Sequence, residues 1–178
     1  LALMRDHSLR WVYFIGLLQA LNSGNFYGMT PVFLHDVYGF DGGTLGHIYS
    51  FAGAVMLVAY AVLTKRAVRA LGETWCLALG HMSRAASYFV FVTVVMPWIP
   101  WLLVVVALGS GALLSPVSSS IVSGCASPQS LGFAVGLLGS LDSLGNCVGP
   151  LIGGILYDSN RPLPYLASTI SALFSAIM

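Results

Sequence analysis

Charge is scarce in this chain. Seven Lys and Arg and six Asp and Glu serve 178 residues, whereas a soluble domain carries about 25% charged residues to present a wet surface. That shortage excludes a water-facing globule. No basic cluster of the kind that would suit nucleic acid is present. Cysteine is sparse too: Cys76, Cys125 and Cys147 are odd in number, far apart and set among apolar or small residues. They read as small buried hydrophobes, with neither metal-ligand spacing nor an obvious disulfide partner. There is no G-x-x-x-x-G-K-[ST] loop, so ATP is not implied. No cofactor is called for, and no cleavable signal peptide is visible.

What the chain has is apolar length. Hydrophobic residues make up 57% and the mean hydropathy is +0.87, so its natural solvent is lipid. A bilayer core of ~30 Å needs ~20 mostly apolar residues per helix. Runs of that kind fall at about 11–34, 43–63, 74–95, 99–122, 131–156 and 163–178. The sixth is short, and the chain starts at Leu1 rather than Met and stops within that run. It therefore reads as a piece of something longer. The expected fold is an all-α, multi-pass transmembrane bundle in one domain over 1–178, its six helices joined by short connections as antiparallel neighbours. Arg5, Arg10, Lys65, Arg66 and Arg69 fall on one side of the membrane and only Arg161 on the other. That bias places the N-terminus in the cytoplasm.

The fifth helix is glycine-rich. Gly145, Gly149 and Gly153 recur every four residues, so they share a face that lets another backbone approach closely. Pro150 removes an amide donor there. The face serves either static packing or a pliable contact between moving bundles. Asp142 lies ~16 Å from Leu131, near the midplane. An ionised carboxylate at that depth costs at least ~2.5–3.5 kcal/mol, so it should face the protein interior or a water-filled cavity. It is a candidate for substrate binding or proton transfer, or for a structural hydrogen bond. Asn146, one turn on, shares its face.

Arg84 reaches ~15 Å into the third helix, between His81 and Tyr88. Asp142 is the acidic residue at matching depth, so a pair is open, as are bonds to carbonyls. In the first helix Gln19, Asn22 and Phe26 mark one face beside Asn25 and Tyr27, with Gly24 and Gly28 nearby. These amides, and Ser110, Ser115 and Ser118 of the fourth helix, suit either interhelical bonds or contacts to a small molecule.

GLLGSLDSLGNCVGPLIGGILYD (136–158), with Pro150 followed by Gly153 and Gly154, resembles the GxxxGPxxGG stretch of the antiporter-type major facilitator superfamily. LTKRAVRALGE (63–73), carrying Lys65, Arg66, Arg69 and Gly72, resembles the short basic loop after the second helix of each half. GSGALLSPVSSSIVSG (109–124) is similar to the Gly-rich, Pro-containing helix two helices later. PVFLHDVYGF, closing the first helix, is similar to drug-efflux-like members, the drug:proton and tetracycline-resistance-like branch. The resemblance implies twelve helices in two halves, of which this is the second, because the loop lacks the acidic residue of the fuller GxLxDRxGRR motif. It implies that the first and fourth helices line a central cavity and that the third lies outside it. The implied partners are the bilayer, an N-terminal six-helix half, a small-molecule substrate and protons.

Three functions compete. A secondary transporter working by alternating access, probed through Asp142, accounts for most features. A non-transporting membrane protein is the alternative. An intramembrane serine enzyme is the third, though no GxSG pattern occurs.

Overall fold

A computed structural model describes residues 7–178; Arg5 of the charge count lies outside the described residues. The described residues form six helices: α1 (His7–Tyr38), α2 (Gly42–Leu71), α3 (Glu73–Thr93), α4 (Ile99–Cys125), α5 (Leu131–Ser159) and α6 (Leu163–Ile177). No strand occurs among the described residues. Three of them, α2, α4 and α5, are long and apolar enough by composition to cross a membrane. α1 and α3 are diluted by amides, hydroxyls and Arg84, which the bundle buries.

The breaks between helices are local chemistry. Gly39 takes φ +67° after α1, the left-handed turn that glycine adopts without steric cost. The Asp41 carboxylate then caps α2, accepting from the Thr44 amide at 2.8 Å. Hydrogen bonds from Thr44 hold that carboxyl below its ordinary range. The cap therefore persists at neutral pH and is lost only as the pH falls through the lowered value. Pro100 sits in the first turn of α4, where its missing amide costs nothing.

The basic stretch is not a loop, as the sequence suggested. α2 runs through a π-helical turn at Ala59–Leu63 and stays helical to Leu71, carrying Lys65, Arg66 and Arg69 with it. The Thr64 hydroxyl lies within hydrogen-bond distance of the Ala59 and Ala112 carbonyls and ties this extension to α4. The turn itself shrinks to Gly72, at φ +81°. With ψ 165° this conformation is essentially reserved for glycine, and a side chain there costs about 1–3 kcal/mol. Gly72→Ala should lower the melting temperature in detergent, and Gly42→Ala, with ordinary φ and open space around it, should not.

Packing does not follow chain order. α1 pairs most extensively with α5 and next with α6, while α3 lies between α4 and α6, and α2 leans on α4. α1 makes little contact with α2, contrary to the expectation that short connections make every consecutive pair neighbours. A short turn fixes only where the next helix starts; its direction is set by which surfaces interlock.

The interior is unusually polar for its surface. Gln19, Asn22, Asn25, Thr30, His81, Arg84, Ser87, Ser110, Ser118, Ser168 and Thr169 are buried, while Leu57 is 71% and Ile155 70% exposed. That arrangement suits hydrocarbon outside and hydrogen bonds inside. Cys76 is buried, but Cys125 and Cys147 are exposed, which corrects their reading as buried hydrophobes. Both lie on helix faces that no described residue covers.

Phe26, Phe33, Tyr88, Phe91 and Tyr165 form the apolar centre with Ile48, Leu103 and Val104. Ring centroids are 5.1 Å apart for Phe33–Phe91 and for Phe91–Tyr165, and 5.2 Å for Phe26–Tyr88. A second cluster of Leu9, Tyr13, Val122, Ala134 and Leu138 lies elsewhere, where α1, α4 and α5 meet. There the Tyr13 hydroxyl donates to the Ala134 carbonyl at 3.2 Å. Where α1 and α5 end, Asp36 meets Arg161 at 4.0 Å and accepts from the Tyr157 hydroxyl at 2.9 Å. This is the single ion pair among the described residues.

Candidate functional site

The α1–α5 contact is built from backbone. A Cβ on Gly149 would lie 2.5 Å from the Leu21 carbonyl oxygen and 2.7 Å from the Asn25 amide. One on Gly145 would strike Ala20, and one on Gly153 would strike the Asn25 side chain. α1 answers in kind: Gly24 faces the Asn146 backbone and Gly28 faces Pro150. Glycine at each position lets the two helices meet at backbone distance, where dispersion contacts are densest. Gly154 is no part of this seam, since nothing lies within 4 Å of the place its Cβ would take. One residue past Gly153 is about 100° round the helix, which turns it away.

The seam positions a polar cavity. Gly16 and Gln19 from α1, Ser115, Ser118 and Ser119 from α4, and Val135, Leu138, Gly139 and Asp142 from α5 enclose about 150 Å³. Asp142 stands near the middle of the 29-residue α5 with its side chain on the open side. Gln19 is 8% exposed, and its Oε1 is buried with no donor among the described residues. Seryl hydroxyls supply both donors and acceptors. The arrangement suits a small solute with hydrogen-bonding groups, and a cation or proton at the carboxylate.

The other candidates divide between this cavity and the packing around it. Asn146 turns back on its own helix, donating to the Asp142 carbonyl at 2.9 Å. Asn22 donates to Ser171 at 3.3 Å. Asn25 donates to the Pro164 carbonyl and to the Ser168 hydroxyl, both at 2.8 Å. These two amides fasten α6 to α1. Phe26 is 3% exposed within the aromatic centre, away from the cavity.

Arg84 is 4% exposed and does not pair with Asp142. Its Nη1 donates to the Ser23 hydroxyl at 3.2 Å and its Nε to Ser110 at 3.4 Å. Gly111 leaves the space, since a Cβ there would sit 2.7 Å from the guanidinium. The sequence reading missed Ser23, Gly111 and Ser119. Ser23 lies one turn from Gln19, and Gly111 one turn from Ser115, so helical spacing from the chosen residues was the available signal. His81 is fully buried, and neither ring nitrogen has a hydrogen-bond partner among the described residues.

Similarity to known proteins agrees with this architecture. Two multidrug resistance proteins of Bacillus subtilis (strain 168) align along most of the chain. Multidrug resistance protein 1 is 27% identical over 165 residues, 90% of this chain and 42% of that protein. Multidrug resistance protein 2 is 30% identical over 164 residues, 89% of this chain and 40% of that protein. The chain thus spans well under half the length of these curated relatives. The family model described as Major Facilitator Superfamily matches residues 12–178. With the match running from the second turn of α1 to the final residue, the chain belongs to the Major Facilitator Superfamily.

Proposed function

We propose that this chain is one six-helix half of a secondary transporter that moves a small solute by alternating access, coupled to protons through Asp142. The observation that carries the reading is the cavity itself. A carboxylate near mid-helix, the Gln19 side chain and three serines line one cavity where the bilayer would otherwise demand apolar surface. A carboxylate at that depth is retained against a cost of at least ~2.5–3.5 kcal/mol, which marks it as functional. The names of the two relatives favour drug-like solutes.

The partner in this reading is an N-terminal six-helix half. The apolar faces of α2 and α5 are largely uncovered within the chain, and the Asp142 cavity is open on one side. A second bundle closing over that side would complete a midplane site at the interface of two repeats. The glycine seam then lets α1 and α5 slide or tilt together as one unit. The basic end of α2 lies in the cytoplasm by its excess of Lys and Arg. This reading makes the protein a carrier rather than an enzyme, as its membership of the Major Facilitator Superfamily favours.

Asp142→Asn tests the coupling. In vesicles carrying the assembled transporter, the variant should abolish pH-gradient-driven flux while leaving insertion and melting temperature unchanged. Full gradient-driven flux in the variant would remove Asp142 from the mechanism.

A further inference from the structure

A second cavity lies at the basic end of α2 and shares no residue with the Asp142 cavity. It is the larger, at about 420 Å³. Tyr60, Thr64, Lys65, Val68 and Arg69 of α2 form one wall, and Glu73 with Pro116, Val117 and Ser120 forms the rest. Lys65 and Arg69 are four residues apart, so their stems rise on one face of the helix and both charged heads reach the same mouth. Neither forms an ion pair among the described residues. The one acid in the wall, Glu73, is engaged by the Ser120 hydroxyl. The rest of the lining is largely apolar, from Tyr60, Val68, Pro116 and Val117. Leu57, Val58 and Leu63, on the same stretch of α2, are exposed.

From this juxtaposition we propose that the cleft between α2 and α4 holds an anionic phospholipid, its phosphate between Lys65 and Arg69 and its acyl chains along α2. The occupant follows from charge and position together. Two cations at the end of a membrane-spanning helix attract anionic headgroups, and long basic side chains there extend towards the interface. A soluble phosphate offers the same anion without the chains, and it would leave the apolar part of the cleft empty. The lipid satisfies both parts. The π-helical turn at Ala59–Leu63 sits in the wall of the cleft, and such turns recur at functional sites.

The test uses the full chain in nanodiscs of phosphatidylcholine, with and without phosphatidylglycerol. Native mass spectrometry counts retained lipid, and a competition titration gives its relative affinity. Wild type should retain phosphatidylglycerol, and Lys65→Gln/Arg69→Gln should weaken that binding at least about tenfold. Arg66→Gln removes a neighbouring charge that does not line the cleft and should leave binding within about twofold. Equal weakening by Arg66→Gln, or unchanged binding in the double variant, would overturn the site. Inorganic phosphate added to the phosphatidylglycerol-containing nanodiscs should not displace the retained lipid. Displacement at millimolar phosphate would make the ligand a soluble anion and overturn the lipid assignment. Melting temperatures of the variants in phosphatidylcholine alone should match wild type, separating loss of binding from loss of fold.

Discussion

Gly149→Ile should leave the chain unable to hold α1 against α5. The substituted Cβ would meet the Leu21 carbonyl oxygen and the Asn25 amide, which are backbone atoms and cannot swing aside as a side-chain tip can. The helices must separate along their most extensive contact. Over-packing a well-filled interior typically costs about 1–3 kcal/mol, and a backbone clash lies at the upper end or beyond it. The same separation would break the Asn25 bonds to Pro164 and Ser168 and so loosen α6. Size-exclusion profiles and thermal melts in detergent read this directly: an early, broad, aggregated peak is expected. Gly154→Ile is the matched control, because its Cβ meets open space, and it should melt like wild type. A sharp, wild-type-like melt for Gly149→Ile would show that the seam is not the structural contact described above.

Arg84→Met should behave in the opposite way, melting at or above the wild-type temperature. The guanidinium is buried with two serine hydroxyls as its hydrogen-bond partners and no carboxylate within ion-pair distance among the described residues. A desolvated charge without a counter-charge opposes folding, and replacing buried ionic groups with apolar ones of similar length is often neutral or stabilising by ~1–4 kcal/mol. Ser110 already donates to the Ala107 carbonyl at 2.7 Å, so it is not orphaned when Arg84 goes. Arg84→Ala removes the charge as well but leaves a void beside Gly111, and buried truncations of that size cost ~2–5 kcal/mol. The expected order of melting temperatures is therefore Met at or above wild type, with Ala clearly below Met. Equal, large losses for both would mean that the charge itself holds α1, α3 and α4 together.

Much of the fold is legible in the sequence because hydrocarbon is an unforgiving solvent. Every span must close its own backbone hydrogen bonds, so apolar runs and their breakers mark helices with little ambiguity. Gly145, Gly149 and Gly153 were visible as one face for the same reason, since a period near 3.6 aligns every fourth residue. What that face touches was not visible. Asp142 and Gln19 could each be picked out as costly groups in a membrane, yet nothing in their local sequence says that they share a cavity with Ser115 and Ser118. Phe26 and Asn22 looked the same in one dimension as Gln19, and differ because a helix one turn wider of the cavity packs against α3 and α6 instead. Gly72 could be read as part of a basic loop, but the helical path of Lys65, Arg66 and Arg69 depends on Thr64 reaching the Ala112 carbonyl of α4.

The sequence alone determined the solvent, the helices, the glycine face and the few polar groups worth a membrane's penalty, because each follows from composition and local period. The tertiary structure alone decided that α1 packs on α5 rather than on α2, that Arg84 rests on serines rather than on Asp142, and that the basic residues wall a cleft. Those outcomes depend on which surfaces approach one another in space. Short-range chemistry along the chain carries no record of them.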